Sequence, residues 1–230
     1  MKTIKLLKQL ETYPLFTVND FAKILRSTAK YARTKLYRLE KQGLIKRIER
    51  GKYTVHDDPF IFASHILYPS YISMWSLFDL KELTEQVLRE IMIVTTKSKK
   101  DIKKKSYRIS FTNTTHCFGY YKEIYHEHEI FLADVEKAII DSLLYNKVPF
   151  DEIKKAIVNS ELNIEKIKAY VKRIGSSTLI KRIGYLMEKK GQRLEAKEIM
   201  DYNYVRLNPD KPKKGKKNKK WRLIINDNQG

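Results

Sequence analysis

A single cysteine, Cys117, occurs among the 230 residues. No internal disulfide can form, which is the pattern expected of a reducing, cytoplasmic compartment. Long apolar runs are missing as well. The longest, such as IFASHILYP and RLIIN, fall far short of the roughly 20 residues that span a bilayer, so no membrane association is expected. The opening residues MKTIKLLKQLE carry charge throughout and lack a small-residue cleavage site, unlike a secretory signal. The chain also has no GxxxxGKS/T phosphate loop, no GxSxG elbow and no CxxC pair, which removes three common bases for catalysis.

Acidic residues are scarce at two places. Residues 1–55 hold 14 Lys/Arg against 4 Asp/Glu, and residues 206–222 hold 9 against 1. The intervening residues 56–205 are nearly balanced, with 24 against 21, so most of the net charge of +20 sits in two segments. Scattered solvated lysines would not segregate in this way, whereas a surface for a polyanion would. With 42% hydrophobic residues, 15 Tyr and 9 Phe, the chain has the material for a core and is not of disordered composition.

The stretch TAKYARTKLYRLEKQGLIKRIERGKY, residues 28–53, carries nine Lys/Arg and still keeps regular apolar spacing. Before it, Ile4, Leu7 and Leu10 predict a first amphipathic helix ending near Tyr13-Pro14. Thr17 with Asp20 three positions on predicts a helix N-cap of capping-box type, and Phe21, Ile24 and Leu25 are the inward face of that second helix. Ser27-Thr28 makes a turn and caps a third helix, in which Ala32, Leu36 and Leu39 share one face. The opposite face holds Ser27, Lys30, Thr34, Tyr37, Arg38 and Lys41, flanked by Tyr31, Arg33 and Lys35. Gly43 ends the helix. Leu44, Ile48, Tyr53 and Val55 are then the inward residues of a hairpin turning at Glu49-Arg50-Gly51-Lys52.

Three helices followed by a basic hairpin make a winged helix-turn-helix, and LEKQGLIKRIERGKY resembles the recognition-helix exit and wing of many such regulators. On this reading the candidate DNA-binding residues are Ser27, Thr28, Lys30, Tyr31, Arg33, Thr34, Tyr37, Arg38 and Lys41, with Arg47, Arg50 and Lys52 on the wing. Arg bonds guanine edges bidentately, Lys and Thr mostly meet phosphates, and Tyr31 stacks on sugar or phosphate. A module used only for protein contacts is the alternative.

A boundary is expected at His56-Asp57-Asp58-Pro59. The fold class expected is α+β: a winged helix-turn-helix at 1–56, then a mixed α/β domain at 57–230. In the second part DPFIFASHILYPS and SYISMWSLFDLKELTEQ read as helices, EIMIVTT, SYRISFTN and HCFGYYKEIYHEHEIFLA as strands, and KSKKDIKKK as a basic loop. DVEKAIIDSLLYNKV reads as a helix with Val135, Ala138, Ile139 and Leu143 inward, and further helices follow between 151 and 190.

Three segments in order, PSYISMWSLFDLKELTEQ, FGYYKEIYHEHEIFLADVEKAIIDSLLY and YVRLNPDKPKKGKKNKKWRLIIN, resemble the AbiEi antitoxin family over nearly the whole chain. One departure is Lys81-Glu82, where the family often carries His-Gly before Leu-Thr-Glu-Gln. The resemblance implies an antitoxin of a type IV toxin–antitoxin system, linked to viral defence by abortive infection. Such a protein represses its own operon and opposes a separately encoded nucleotidyltransferase toxin without a stable complex. The implied DNA is its own promoter, with inverted repeats, bound by a monomer or weak dimer. The resemblance also recasts the tail: Lys211 to Lys220 becomes a lysine-rich loop between two paired strands, YVRL and WRLIIN. There Lys213, Lys214, Lys216 and Lys217 are candidate phosphate contacts, with an acidic partner surface or a merely solvated loop as the alternatives.

Two features raise catalysis. In a strand, His126 and His128 would share a face, and with Cys117 or His116 they could begin a metal site, although polar alternation is also what an exposed hairpin face looks like. Gly175-Ser176 lacks the paired carboxylates that follow such a turn in a nucleotidyltransferase, so Ser176 reads as a helix N-cap. Asp134 and Glu136 suit the start of their helix, and Asp141 reads as a partly buried charge with a structural partner. No catalytic residue, metal or cofactor is assigned. A winged-helix regulator with a sensing or dimerising second domain, and an enzyme acting on nucleic acid through residues 126–129, stay open.

Overall fold

A computed structural model describes residues 3–86, 89–195 and 200–227. Helices and β-sheets are mixed along the chain, which gathers into two compact units. One comprises residues 1–72, 89–117 and 121–132, and the other residues 73–88, 118–120 and 133–230.

The first unit begins with α1 (Thr3–Leu10), β1 (Phe16–Thr17), α2 (Val18–Leu25), α3 (Ala29–Lys41), β2 (Lys46–Glu49) and β3 (Lys52–Thr54). The strands form a small antiparallel sheet in the order β1-β3-β2. Leu6, Leu10, Phe16, Phe21, Ala32, Leu36, Leu39, Ile45 and Tyr53 close over a core of their own, with Leu7, Ile24, Leu25 and Val55 packed against it. Two inward positions differ from the sequence expectation. Ile4 is 73% exposed and Leu6 takes its place, because the helix is short and turns its 6/10 edge inward. Leu44 stays partly exposed and Ile45 is buried. Leu44 is spent on closing α3: its N–H donates to the Leu39 carbonyl and that of Gly43 to Glu40, both at 3.0 Å. This double closure needs a left-handed residue, and Gly43 supplies it at φ +70. The α2 cap forms as expected: Asp20 N–H donates to Thr17 Oγ1 at 3.2 Å and Thr17 N–H to Asp20 Oδ2 at 2.8 Å.

The remainder of this unit is built on a six-stranded sheet. Its strands are β4 (Ser70–Ile72), β5 (Glu90–Thr95), β6 (Ile102–Lys103), β7 (Arg108–Asn113), β8 (Tyr120–Tyr125) and β9 (His128–Ala133), in the order β6-β7-β5-β4-β9-β8. Two segments expected as helices are corrected. DPFIFASHILYPS is helical only over α4 (Pro59–Ala63), capped by Asp58. SYISMWSLFDLKELTEQ contains β4, followed by a short helix, α5 (Trp75–Leu80). All three β4 residues are buried, so no alternation marks them as a strand, and such runs resemble buried helix by periodicity.

The second unit holds α5, α6 (Val135–Tyr145), α7 (Phe150–Val158), α8 (Ile164–Ile174) and α9 (Ser177–Lys189). Helix α6 packs against the other four and is buried on every side from Glu136 to Leu143. Asp141 is therefore fully buried rather than partly so: it pairs with Lys137, both side chains have 0% exposure, and Ser73 Oγ donates to it at 2.8 Å. Ser176 caps α9 as expected. A three-stranded sheet, β10 (Val205–Arg206), β11 (Lys216–Asn218) and β12 (Leu223–Ile225), runs in the order β10-β12-β11. YVRL and WRLIIN are thus neighbours, but parallel ones, and the lysine-rich connection supplies the third strand itself. Trp221 is buried against Gly184, where any Cβ would run into the indole.

Candidate nucleic-acid interface

The outer surface of α3 is what its inner spacing leaves over. Ala32, Leu36 and Leu39 face the core, so Lys30, Arg33, Thr34, Tyr37, Arg38 and Lys41 are exposed, with Tyr31 at 55% and Tyr37 at 59%. Five cations share this helix with one acid, Glu40. None of the basic side chains on that face is held in an ion pair among the described residues. Lys41 instead rests over the Tyr37 ring, 5.7 Å from its centre. Thr34 hydroxyl donates to the Lys30 carbonyl at 3.3 Å, and Thr28 caps the helix by accepting from Tyr31 N–H at 3.3 Å. Ser27 lies in the turn before it, its hydroxyl buried and without a hydrogen-bond partner among the described residues.

The positive surface continues past the residues named from sequence. Lys5 of α1 and Lys23 and Arg26 of the α2 end share a cleft with Tyr31 and Lys35. Sequence patterning could not group them, because they come from three elements.

On the hairpin, Arg47 and Arg50 are exposed, and Arg47 Nε donates to the Glu49 carbonyl at 3.4 Å. Lys52 is placed otherwise: its ammonium donates to the Ile66 carbonyl and lies 3.0 Å from Glu49. Glu49 also accepts from Lys99. Burial would raise the Glu49 carboxyl, but the bonds from Lys99 and Lys52 outweigh it and hold it below the usual range.

In the second unit, Lys213, Lys214, Lys216 and Lys217 are all exposed, and Lys217 lies over the Tyr204 ring at 5.3 Å. The same segment is anchored through its other lysines. Lys211 pairs with Asp227, and Lys220 with Glu188 at 2.6 Å.

The two histidines part company in the fold. His126 and Glu127 form the turn between β8 and β9 at φ 44 and 66, so His126 and His128 do not share a strand face. His128 meets the His56 ring instead, with centres 4.4 Å apart, and burial lowers His56 from its ordinary value. Among the described residues no three His, Cys, Asp or Glu side chains are grouped to hold a metal, and no helix is long and apolar enough to cross a membrane.

No curated protein matches the chain. Residues 6–56, which run from within α1 to β3 and carry the cationic face of α3, match the family described as "Transcriptional regulator, AbiEi antitoxin", the family that the sequence resembles.

Proposed function

We propose that this protein is a sequence-specific DNA-binding autorepressor and the antitoxin of a type IV toxin–antitoxin system, opposing a nucleotidyltransferase toxin. Residues 1–56 act as a winged helix-turn-helix. Helix α3 enters the major groove, with Lys30, Arg33, Thr34, Tyr37 and Arg38 facing the bases and phosphates. Arg47 and Arg50 on the hairpin meet the flanking backbone or minor groove, Lys52 supporting them through Glu49. Residues 57–230 carry the antitoxin role, and Lys213, Lys214, Lys216 and Lys217 add phosphate contacts. The protein has no catalytic step of its own.

One observation carries this reading: an exposed helix face of cations and hydroxyls, free of ion pairs among the described residues and packed on a core of its own, in the segment that matches a regulator family. The test is a gel-shift titration against the DNA upstream of its own gene, with random duplex as competitor, at two salt concentrations. Preference for the upstream DNA supports the reading, and equal binding to both would end it.

A second reading, a regulator with a sensing second domain and no toxin, draws on a cavity of about 190 Å³ in the second unit. Ile157, Val158, Tyr185, Leu186, Leu207 and Ile225 line it, with Lys154, Lys189, Lys190 and Asp227 beside them. It predicts release of DNA by a small apolar ligand.

A further inference from the structure

Residues 97–105, KSKKDIKKK, hold six lysines and one acid, and they come from the middle of the chain where charge is otherwise balanced. The fold does not leave this segment loose. Ile102–Lys103 form the edge strand β6 and pair with β7. Asp101 is turned back onto β7, where it accepts from the Arg108 guanidinium and from Phe111 N–H. Its charge is therefore used inside the fold rather than shown beside the lysines.

Two further ties run to the hairpin of the N-terminal module. Lys99 bonds Glu49, and Lys104 ammonium donates to the Arg47 carbonyl at 2.8 Å. The hairpin's own acid, Glu49, thus faces inward as a clamp. The segment tied to the hairpin in this way still leaves Lys97, Lys100, Lys103 and Lys105 exposed, as Arg47 and Arg50 are. Holding these cations against a basic hairpin costs repulsion in the free protein. A polyanion laid across both would relieve that repulsion and release its counterions.

We infer that residues 97–105 form a second phosphate-binding ridge that extends the hairpin surface along duplex DNA outside the operator. This rests on the DNA-binding reading above. The ridge is backbone-directed: lysines are point charges that meet phosphates without reading bases. It lengthens the footprint and raises affinity for every sequence alike.

The experiment replaces Lys97, Lys100, Lys103 and Lys105 together with Gln. None of the four ammonium groups has a partner among the described residues, and a melting temperature no lower than the native protein's confirms the variant is folded. Binding is titrated against salt on two duplexes, the minimal operator and the operator with flanking DNA on both sides. The expected result on the long duplex is a salt slope shallower by about three to four, near one unit for each phosphate that is no longer neutralised. The preference for operator over random DNA should not change, and on the minimal operator the variant and the native protein should bind alike. Specific binding by the native protein with the same slope for the variant on the long duplex would overturn this inference alone. Failure of the native protein to prefer its operator would overturn the DNA-binding reading and the ridge with it.

Discussion

Helix α3 shows its cations to solvent over a narrow apolar stripe, whereas α6 carries Lys137 with no exposure at all. Both helices contain lysine next to apolar residues, and sequence spacing gives each an inward face. The difference is an acid four residues on. In α6, Asp141 stands one turn from Lys137 and neutralises it, so the helix can be packed on every side. In α3 the positions four residues after its cations hold Thr34, Tyr37, Leu39, Gln42 and Ile45, none of them an acid, and its cations cannot be buried. A lysine's meaning is set by its local partner more than by its own charge.

Breaking the α6 pair should give the largest effect. Asp141→Ala takes away the carboxylate that the buried Lys137 ammonium pairs with, and about 3–5 kcal/mol of stability should be lost. Urea unfolding measures it. Replacing both partners by Met and Leu should recover most of that loss, since the desolvation cost goes with the charges. A single variant within about 1 kcal/mol of the native protein would show that the pair is not a buried charge pair. On α3, Arg33→Ala should leave stability within roughly 0.5 kcal/mol, because it removes an exposed side chain.

The outward face should respond to DNA instead. Arg38→Ala is expected to weaken operator binding by about 1–3 kcal/mol and random-duplex binding by less, with the unfolding curve unmoved. Competition gel shifts separate the two. Equal losses on both DNAs would make Arg38 a phosphate contact and remove its base-reading role.

The N-terminal module is the most legible part of the chain because its signals are local. The Thr17–Asp20 cap, the Leu36–Leu39 stripe and the Gly43 stop each act within a turn or two. The sheet is less legible for the opposite reason. Ser70-Tyr71-Ile72 becomes a strand only because β5 and β9 lie on either side of it, and those partners are about 20 and 60 residues away along the chain. Charge poses a similar problem. Asp101 and Glu49 look in sequence like breaks in two basic runs, yet both fold inward. Lys52 reads in sequence as facing outward on the hairpin, but its partner, the Ile66 carbonyl, is remote along the chain. The cleft joining Lys5, Lys23 and Arg26 to Lys35 exists only once three helices have assembled.

The smallest expected effect lies in the tail, where lysines are again partnered as in α6 but near solvent. Asp227 accepts from Lys154, from Lys211 at 2.9 Å and from Asn208 at 3.1 Å. Burial raises its carboxyl, but these donors outweigh that and hold it down to about 2. The folded protein therefore binds this proton less readily than the unfolded chain does. The stabilisation is complete above about pH 5 and drains away as the pH falls towards 2. Melting temperatures followed down this range should drop more steeply for the native protein than for Asp227→Asn, which has no such carboxylate to protonate. Parallel curves would mean that another acid carries the decline. The effect stays modest because Lys154 and Lys211 are 38% and 42% exposed, so water and salt already screen what the buried Lys137–Asp141 pair feels in full.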